Sequence, residues 1–93
     1  MTRRAPDAAV LIDRFMPGGR LVQMPARRNK RLVVLDQVAR AFEPGRRYPE
    51  QEVNFILLDV YDDYAALRRY LVDEGFLARE DGIYWRVGGT VDV

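Results

Sequence analysis

Apolar side chains recur at helical spacing in four segments of the chain, and turn-forming residues separate these segments. Asp7 is a suitable N-cap for a first helix to about Met16, and the following Pro17-Gly18-Gly19 is a stop signal. A second helix is predicted from an N-cap at Asn29 to about Glu43. Its apolar residues fall on one helix face: Leu32, Leu35, Val38, Ala39 and Phe42.

Two further helices are predicted close together. The first of this pair starts at Pro49, and acidic residues that suit the helix dipole follow in its first turn. Its apolar residues repeat at i, i+3, i+4 and i+7: Val53, Ile56, Leu57 and Val60. A tight turn with Asp62 and Asp63 offers a cap for the fourth helix, from about Tyr64 to Glu74, and Gly75 suits its left-handed end.

The last part of the chain predicts a hairpin. The strand-like segments 76–80 and 83–87 flank Asp81-Gly82, a strong signal for a two-residue turn. Alternation along the second strand places Trp85 on the opposite face from Tyr84 and Arg86.

Shorter segments lie outside the four helices and the hairpin. A short extended piece is expected at residues 20–24, and a connector at 46–48 is a candidate for a short strand. Residues 1–6 and the segment from Gly88 onwards are expected to be loose tails.

A helix, a tight turn, a second helix and then a hairpin follow the order of a winged helix-turn-helix. The sequence therefore predicts one α+β domain over residues 1–93, with a three-helix core, a C-terminal β-hairpin wing and an extra N-terminal helix. In the DNA-binding use of this motif the second helix of the pair enters the major groove. Here that helix is the predicted Tyr64–Glu74 segment, and the wing is Arg79–Arg86.

Composition narrows the candidate chemistry. The chain contains no Cys, His or Ser, which rules out disulfides, thiolate zinc sites and Ser-His-Asp or Cys-His catalysis. The three aspartates Asp59, Asp62 and Asp63 match no metal-binding loop, and no glycine-rich phosphate loop is present. We therefore expect neither an enzyme nor a cofactor or metal, and the lack of a targeting or spanning segment predicts a cytoplasmic protein.

The net charge of +1 hides an asymmetry along the chain. Residues 1–47 carry 11 Arg and Lys against 4 Asp and Glu, whereas residues 48–93 carry 4 against 10. Such asymmetry is typical of a surface for nucleic acid or for a charged partner. The alternative is that the two halves fold onto each other and partly neutralise.

The candidate nucleic-acid-binding residues form three groups. The densest is at the start of the second helix, and the others lie on the fourth helix and the wing: Arg27, Arg28, Lys30 and Arg31; Arg68 and Arg69; Arg79 and Arg86. The group at the start of the second helix would neutralise phosphates, or it is a solvated face. Arg68 and Arg69 would contact base edges or phosphates, or they pair with acids such as Glu52, Asp63 or Asp73 and brace the helix. At most one of Arg68 and Arg69 can point squarely outward. Four acids flank the fourth helix and argue against major-groove binding: Asp62, Asp63, Asp73 and Glu74.

Several strings in the chain resemble a known bacterial family. They are RRYPEQEVN (46–54), DDY (62–64), LRRYLV (67–72), GFLAR (75–79) and YWR (84–86), with GRL (19–21) and MPA (24–26) upstream. Together they resemble the uncharacterised domain of unknown function DUF2087 over about residues 14–87. This chain has Pro49 where that family usually has Ser. The family's members occur alone or behind an ArsR-type winged-helix domain, which implies a link to transcription regulation and offers no catalytic residues.

Two main functions are therefore expected. The first is a small winged-helix protein that binds nucleic acid, double-stranded DNA in particular, or assists transcription regulation. The alternative is a protein-interaction or dimerisation module that pairs with a transcription-related partner or with itself and does not contact DNA. A third hypothesis is a ligand sensor with a small apolar pocket between the first helix and the hairpin.

Overall fold

A computed structural model describes residues 7–91 of the chain, so the predicted N-terminal tail at residues 1–6 lies outside the described residues. The elements in chain order are α1 (Ala8–Phe15), a 3-10 turn (Pro17–Gly19), α2 (Arg28–Ala39), β1 (Arg47–Pro49), α3 (Glu50–Leu58), α4 (Tyr64–Asp73), β2 (Leu77–Glu80) and β3 (Ile83–Arg86).

The helix starts follow the predicted caps in two cases and differ in a third. The Asp7 carboxylate accepts from the Ala9 N–H at 2.9 Å, and the Asp63 carboxylate accepts from the Ala66 N–H at 3.1 Å. The cap of α2 is Arg27, not the predicted Asn29, whose side-chain oxygen instead accepts from the adjacent Lys30 N–H. Asn29 thus bonds a first-turn N–H group from a position already inside the helix, so the sequence preference for Asn at the cap placed this helix start two residues too late.

The predicted end of α2 at Glu43 was four residues too late. The N–H groups of Arg40, Ala41 and Phe42 bond the carbonyls three residues back rather than four, so the chain tightens after Ala39. Phe42 nevertheless remains fully buried, and its ring meets the Tyr48 ring edge-on at 5.1 Å between centroids. The helical spacing of Phe42 therefore predicted its burial correctly, but it predicted a helix that is too long.

The sheet has the order β1-β3-β2, and all its pairs are antiparallel. Asp81 and Gly82 both have positive φ, at 51° and 76°, as the predicted hairpin turn requires. Residues 47–49 form the edge strand β1, and the Glu50 N–H then donates to the Gly82 carbonyl at 2.9 Å as α3 begins. The predicted extended piece at residues 20–24 is not a strand, although its Leu21 N–H donates to the Val60 carbonyl at 2.7 Å.

One face of the sheet packs on the helices. Tyr48 and Tyr84 are cross-strand partners, and both are buried against apolar residues of α2, α3 and α4. Among the fully buried side chains are Leu35, Val53, Leu57, Leu67 and Leu71. Trp85 lies on the opposite face, as alternation predicted, with the Arg47 guanidinium 4.4 Å from its ring. The result is the predicted winged-helix-like α+β fold, with α1 as the extra N-terminal helix.

The segment after β3 is not the loose tail that was expected, as far as Val91. The Thr90 N–H donates to the Asp36 carboxylate at 2.7 Å, and the N–H groups of Val87 and Gly88 both donate to the Phe76 carbonyl. A Cβ at Gly88 would lie 2.4 Å from the Gly75 carbonyl oxygen, so this close approach of two chain segments requires glycine. No helix in residues 7–91 is long and apolar enough to cross a membrane.

Candidate nucleic-acid interface

Ion pairs connect the basic half of the chain to its acidic half. Four ion pairs join a residue before position 48 to one after it: Arg20–Asp62, Arg28–Glu74, Arg31–Glu74 and Arg46–Glu52. Much of the charge asymmetry in the sequence is therefore neutralised inside one molecule. What matters for a nucleic-acid surface is the basic charge that these pairs leave available.

The α2 N-terminal cluster, defined as Arg27, Arg28, Lys30 and Arg31, has two of its four cationic side chains engaged in internal contacts. Arg28 bonds both oxygens of the Glu74 carboxylate, with its Nη2 at 2.9 Å from Oε1. This hydrogen bond lowers the pKa of Glu74 and raises the pKa of Arg28. Both side chains are therefore held in their charged forms.

Arg31 is the more enclosed member of this cluster, since its side chain is 18% exposed. Its Nη1 donates to the Ala26 carbonyl at 3.1 Å, and its guanidinium lies 5.1 Å from the Tyr70 ring centroid. Arg27 and Lys30 have no ion-pair partner among residues 7–91. Arg28 and Arg31 therefore hold the start of α2 and the loop before it against the end of α4. Arg27 and Lys30 remain at the surface.

A second basic region lies between α4 and the hairpin. This α4–hairpin groove has a volume of about 430 Å³, and three arginines line it together with Ala65, Val72, Asp73 and Tyr84. The arginines are Arg68 and Arg69 from α4 and Arg79 from β2. Arg69 and Arg79 are exposed, whereas Arg68 is partly buried and donates to the Asn54 side-chain oxygen. As predicted, one arginine of the Arg68–Arg69 pair points outward.

A small polar network connects three lining residues of this groove, Arg68, Arg79 and Tyr84, to Glu50. The Tyr84 hydroxyl donates to Glu50 Oε1 at 2.6 Å and accepts from Arg79 Nη1 at 3.4 Å. Arg68 Nε lies 4.0 Å from the same Glu50 oxygen. The hydrogen bond from Tyr84 and the charge of Arg68 lower the pKa of Glu50, while burial and Glu50 itself raise the pKa of Tyr84. The acid nearest Arg68 is therefore Glu50, rather than Glu52, Asp63 or Asp73.

Three of the four acids that flank α4 are engaged elsewhere. Asp62 pairs with Arg20, Asp63 caps α4, and Glu74 is held by Arg28 and Arg31. Asp73 is the one of the four that lines the α4–hairpin groove. The predicted repulsion between these acids and a nucleic-acid phosphate is therefore weaker than their number in the sequence suggests.

Arg86 belongs to neither basic region. Its guanidinium donates to three carbonyls, those of Gly88 at 3.0 Å, Phe42 at 3.2 Å and Thr90. It thereby joins the end of β3 to the turn after α2 and to the last described residues. The structure places this predicted phosphate contact at an internal structural position.

Sequence reasoning missed the roles of Glu50, Asn54 and Glu74. Glu50 was interpreted as a first-turn acid, which it also is, since it begins α3. Its contact with Tyr84 spans 34 residues and that of Arg28 with Glu74 spans 46. Local spacing carries no signal for such pairs.

Two pockets lie beside α1, and the smaller, of about 300 Å³, is lined by Ala8 and Ile12 of α1, by α2 residues and by Phe76, where the predicted hairpin begins. It agrees in part with the predicted apolar pocket between the first helix and the hairpin.

The larger of the two pockets has a volume of about 550 Å³ and lies mainly against α2, with Ile12 and Met16 on one side and Gln37 and Val38 on the other. Its lining includes Asp13 and Arg40 as well as apolar residues, so it is not the apolar hairpin pocket that was expected.

The element order, the β1-β3-β2 sheet and the basic groove beside α4 define a small winged-helix-like protein of α+β class. The chain belongs to the DUF2087 family, described as uncharacterized proteins conserved in bacteria, whose sequence profile matches residues 20–86. No curated protein and no solved structure matches the chain. The family match covers both basic regions and every element from α2 to β3.

Proposed function

We propose that this protein binds double-stranded DNA through the α4–hairpin groove and acts in transcription regulation, by binding rather than by catalysis. The observation that supports this most is the grouping of Arg68, Arg69 and Arg79 between α4 and the hairpin. In a helix-turn-helix protein the helix corresponding to α4 enters the major groove, and arginine is well suited to phosphate and to guanine edges.

The remaining surface cations extend this interface. Arg27 and Lys30 lie at the start of α2, whose neighbour Arg28 is bonded to the end of α4 through Glu74. They add charge near the end of α4 without depending on the geometry of the groove. Contacts of this kind position a protein on the duplex, whereas sequence preference comes from side chains that reach base edges.

The proposal is tested by fluorescence anisotropy with a labelled random-sequence duplex, at low salt and at about 0.2 M salt. We expect binding that weakens steeply with salt. The variant pair R69Q/R79Q should weaken binding at every sequence. The matched control is R47Q, because Arg47 is also exposed but stacks on Trp85 on the outer face of the sheet. No binding at low salt, or equal losses in both variants, would contradict the proposal.

A protein-interaction module is the second candidate, and one observation favours it. Phe55 is 75% exposed and Leu58 is 47% exposed, and the two lie one helical turn apart on α3. Contiguous exposed apolar patches mark contact surfaces when they are large, and these two side chains would form the centre of such a patch. Light scattering of the wild type and F55E at micromolar concentration tests self-association through this face: a dimer that F55E dissociates supports it, and a monomer in both cases argues against it.

A further inference from the structure

The Glu50 carboxylate contacts two side chains that line the α4–hairpin groove, Tyr84 and Arg68. One oxygen of Glu50 accepts from the Tyr84 hydroxyl at 2.6 Å and lies 4.0 Å from Arg68 Nε. Arg79 reaches the same hydroxyl at 3.4 Å. Two guanidinium groups and one phenol hydroxyl therefore converge around a single carboxylate.

This group of contacts around Glu50 differs from a buried structural ion pair, because it is open to solvent. The Glu50 side chain is 44% exposed, so solvent and solutes reach the carboxylate and the donors around it. Arg69, which lines the same groove, has no ion-pair partner among residues 7–91. Three guanidinium groups and one carboxylate, that of Asp73, line the groove, and the Glu50 carboxylate contacts the lining residues Tyr84 and Arg68. Counting both carboxylates, the groove retains excess positive charge.

Phosphate oxygens match these donors. Guanidinium groups bind a phosphate in pairs of parallel hydrogen bonds, and such charge-assisted bonds are stronger than neutral ones. A carboxylate in the same place uses the same donors and adds negative charge close to any phosphate that enters. The internal anion and an external phosphate would therefore compete.

We propose that the α4–hairpin groove is a binding site for one phosphate group, and that the Glu50 carboxylate is its internal competitor. The inference rests on the proposed function where the phosphate is part of a DNA backbone, and it deepens that function by naming the site and its regulator. The same chemistry would accept a phosphorylated small molecule, so the test separates the two sources.

The first arm follows backbone amide shifts while inorganic phosphate is titrated at constant ionic strength. In the wild type the shifts should concentrate in α4, β2 and β3. E50Q, which removes the carboxylate charge, should bind phosphate at least about threefold more tightly, and R69Q/R79Q at least about threefold more weakly. R47Q should match the wild type.

A charge-conserving variant keeps this arm falsifiable. E50D retains a carboxylate at the position, so its phosphate affinity should stay closer to the wild-type value than that of E50Q. If E50D and E50Q behave alike, or if E50Q binds phosphate no more tightly than the wild type, the competitor role of Glu50 is wrong. Shifts confined to the start of α2 would overturn the site itself, and the wild-type titration decides this even if E50Q does not fold.

The second arm repeats the comparison with a labelled duplex. If E50Q raises the affinity for both inorganic phosphate and duplex, the groove binds a phosphate of the DNA backbone. If inorganic phosphate binds in the groove and no variant binds duplex, the site stands with a phosphorylated small molecule as its ligand, and the proposed DNA function fails. If the duplex binds and phosphate leaves the groove shifts unchanged, the phosphate site is overturned and DNA binding stands.

Discussion

The α2 N-terminal cluster and the α4–hairpin groove use similar residues in different ways. In the first, Arg28 and Arg31 are tied to Glu74 and to loop carbonyls, and they fix α2 to the end of α4. In the second, Arg69 and Arg79 are exposed and Arg68 is partly buried beside Glu50. The denser cluster in sequence therefore leaves a smaller share of its charge free for a partner.

This difference shows that the number of arginines along a chain does not measure the charge that a surface presents. An arginine that finds a carboxylate inside the molecule contributes little to long-range attraction, because the pair is close to neutral. An arginine that faces an open groove keeps its charge and most of its donors. The predictions that follow act on the two regions separately, and the first of them concerns the arginine that lies in neither.

The largest expected effect is on stability, at Arg86. Its guanidinium satisfies three carbonyls, and Arg86→Gln leaves most of them without that donor. Since hydrogen bonds to a charged group contribute about 1.5–3 kcal/mol, we expect a loss of roughly 2 kcal/mol in the free energy of unfolding. Thermal unfolding measures it as a Tm lowered by roughly 10 °C.

DNA affinity provides the control for this prediction. Below its lowered Tm, the Arg86→Gln variant should bind duplex as the wild type does. A stable variant with weak DNA binding would show instead that Arg86 contacts phosphate.

The next largest effect is expected from a substitution that frees the arginines of the α2 N-terminal cluster. Glu74→Gln removes the carboxylate that holds Arg28 and Arg31, which makes their charge available to phosphate. If one more phosphate is contacted, the slope of log affinity against log salt should steepen by about 0.9. Anisotropy titrations at several salt concentrations measure this slope. Tm should fall, because the ion pairs that join α2 to the end of α4 are lost. An unchanged slope would mean that Arg28 and Arg31 already contact DNA or never reach it.

The smallest effect is a pH dependence of the Glu74 contribution. The hydrogen bond from Arg28 lowers the pKa of Glu74 in the folded protein, so its stabilising effect is complete above the unfolded pKa of about 4.3 and is lost as pH falls through the lower folded value. The Tm difference between the wild type and Glu74→Gln should therefore be constant from pH 7 to about pH 5 and should shrink below about pH 4. A difference that persists unchanged to pH 3 would contradict a carboxylate role.

Local signals predicted the elements well, because local chemistry determines them. Asp63 caps α4 and Asp81-Gly82 forms the hairpin turn through contacts within a few residues. The end of α2 was misjudged, since Phe42 is buried by tertiary packing after the helix has already tightened. The C-terminal attachment of Thr90 to Asp36 depends on residues 54 apart, and no local pattern announces it.

The sequence predicted which arginines belong to the candidate site, but not which acids they pair with. The sequence identified Arg68, Arg69 and Arg79 as candidates, and the structure gathers them in one groove. It did not identify Glu50 as the acid beside them, or Glu74 as the residue that occupies Arg28 and Arg31. Which arginines stay available depends on these long-range pairs.

The central claim is that DNA contacts the exposed arginines of the α4–hairpin groove more than the α2 N-terminal cluster, although each region leaves two cations without an ion pair among the described residues. The most direct test compares the salt slopes of duplex binding for the wild type, R69Q/R79Q and R27Q/R28Q. We expect R69Q/R79Q to reduce the slope by about 2, and R27Q/R28Q to reduce it by about 1 or less. A larger reduction in R27Q/R28Q than in R69Q/R79Q would contradict the account.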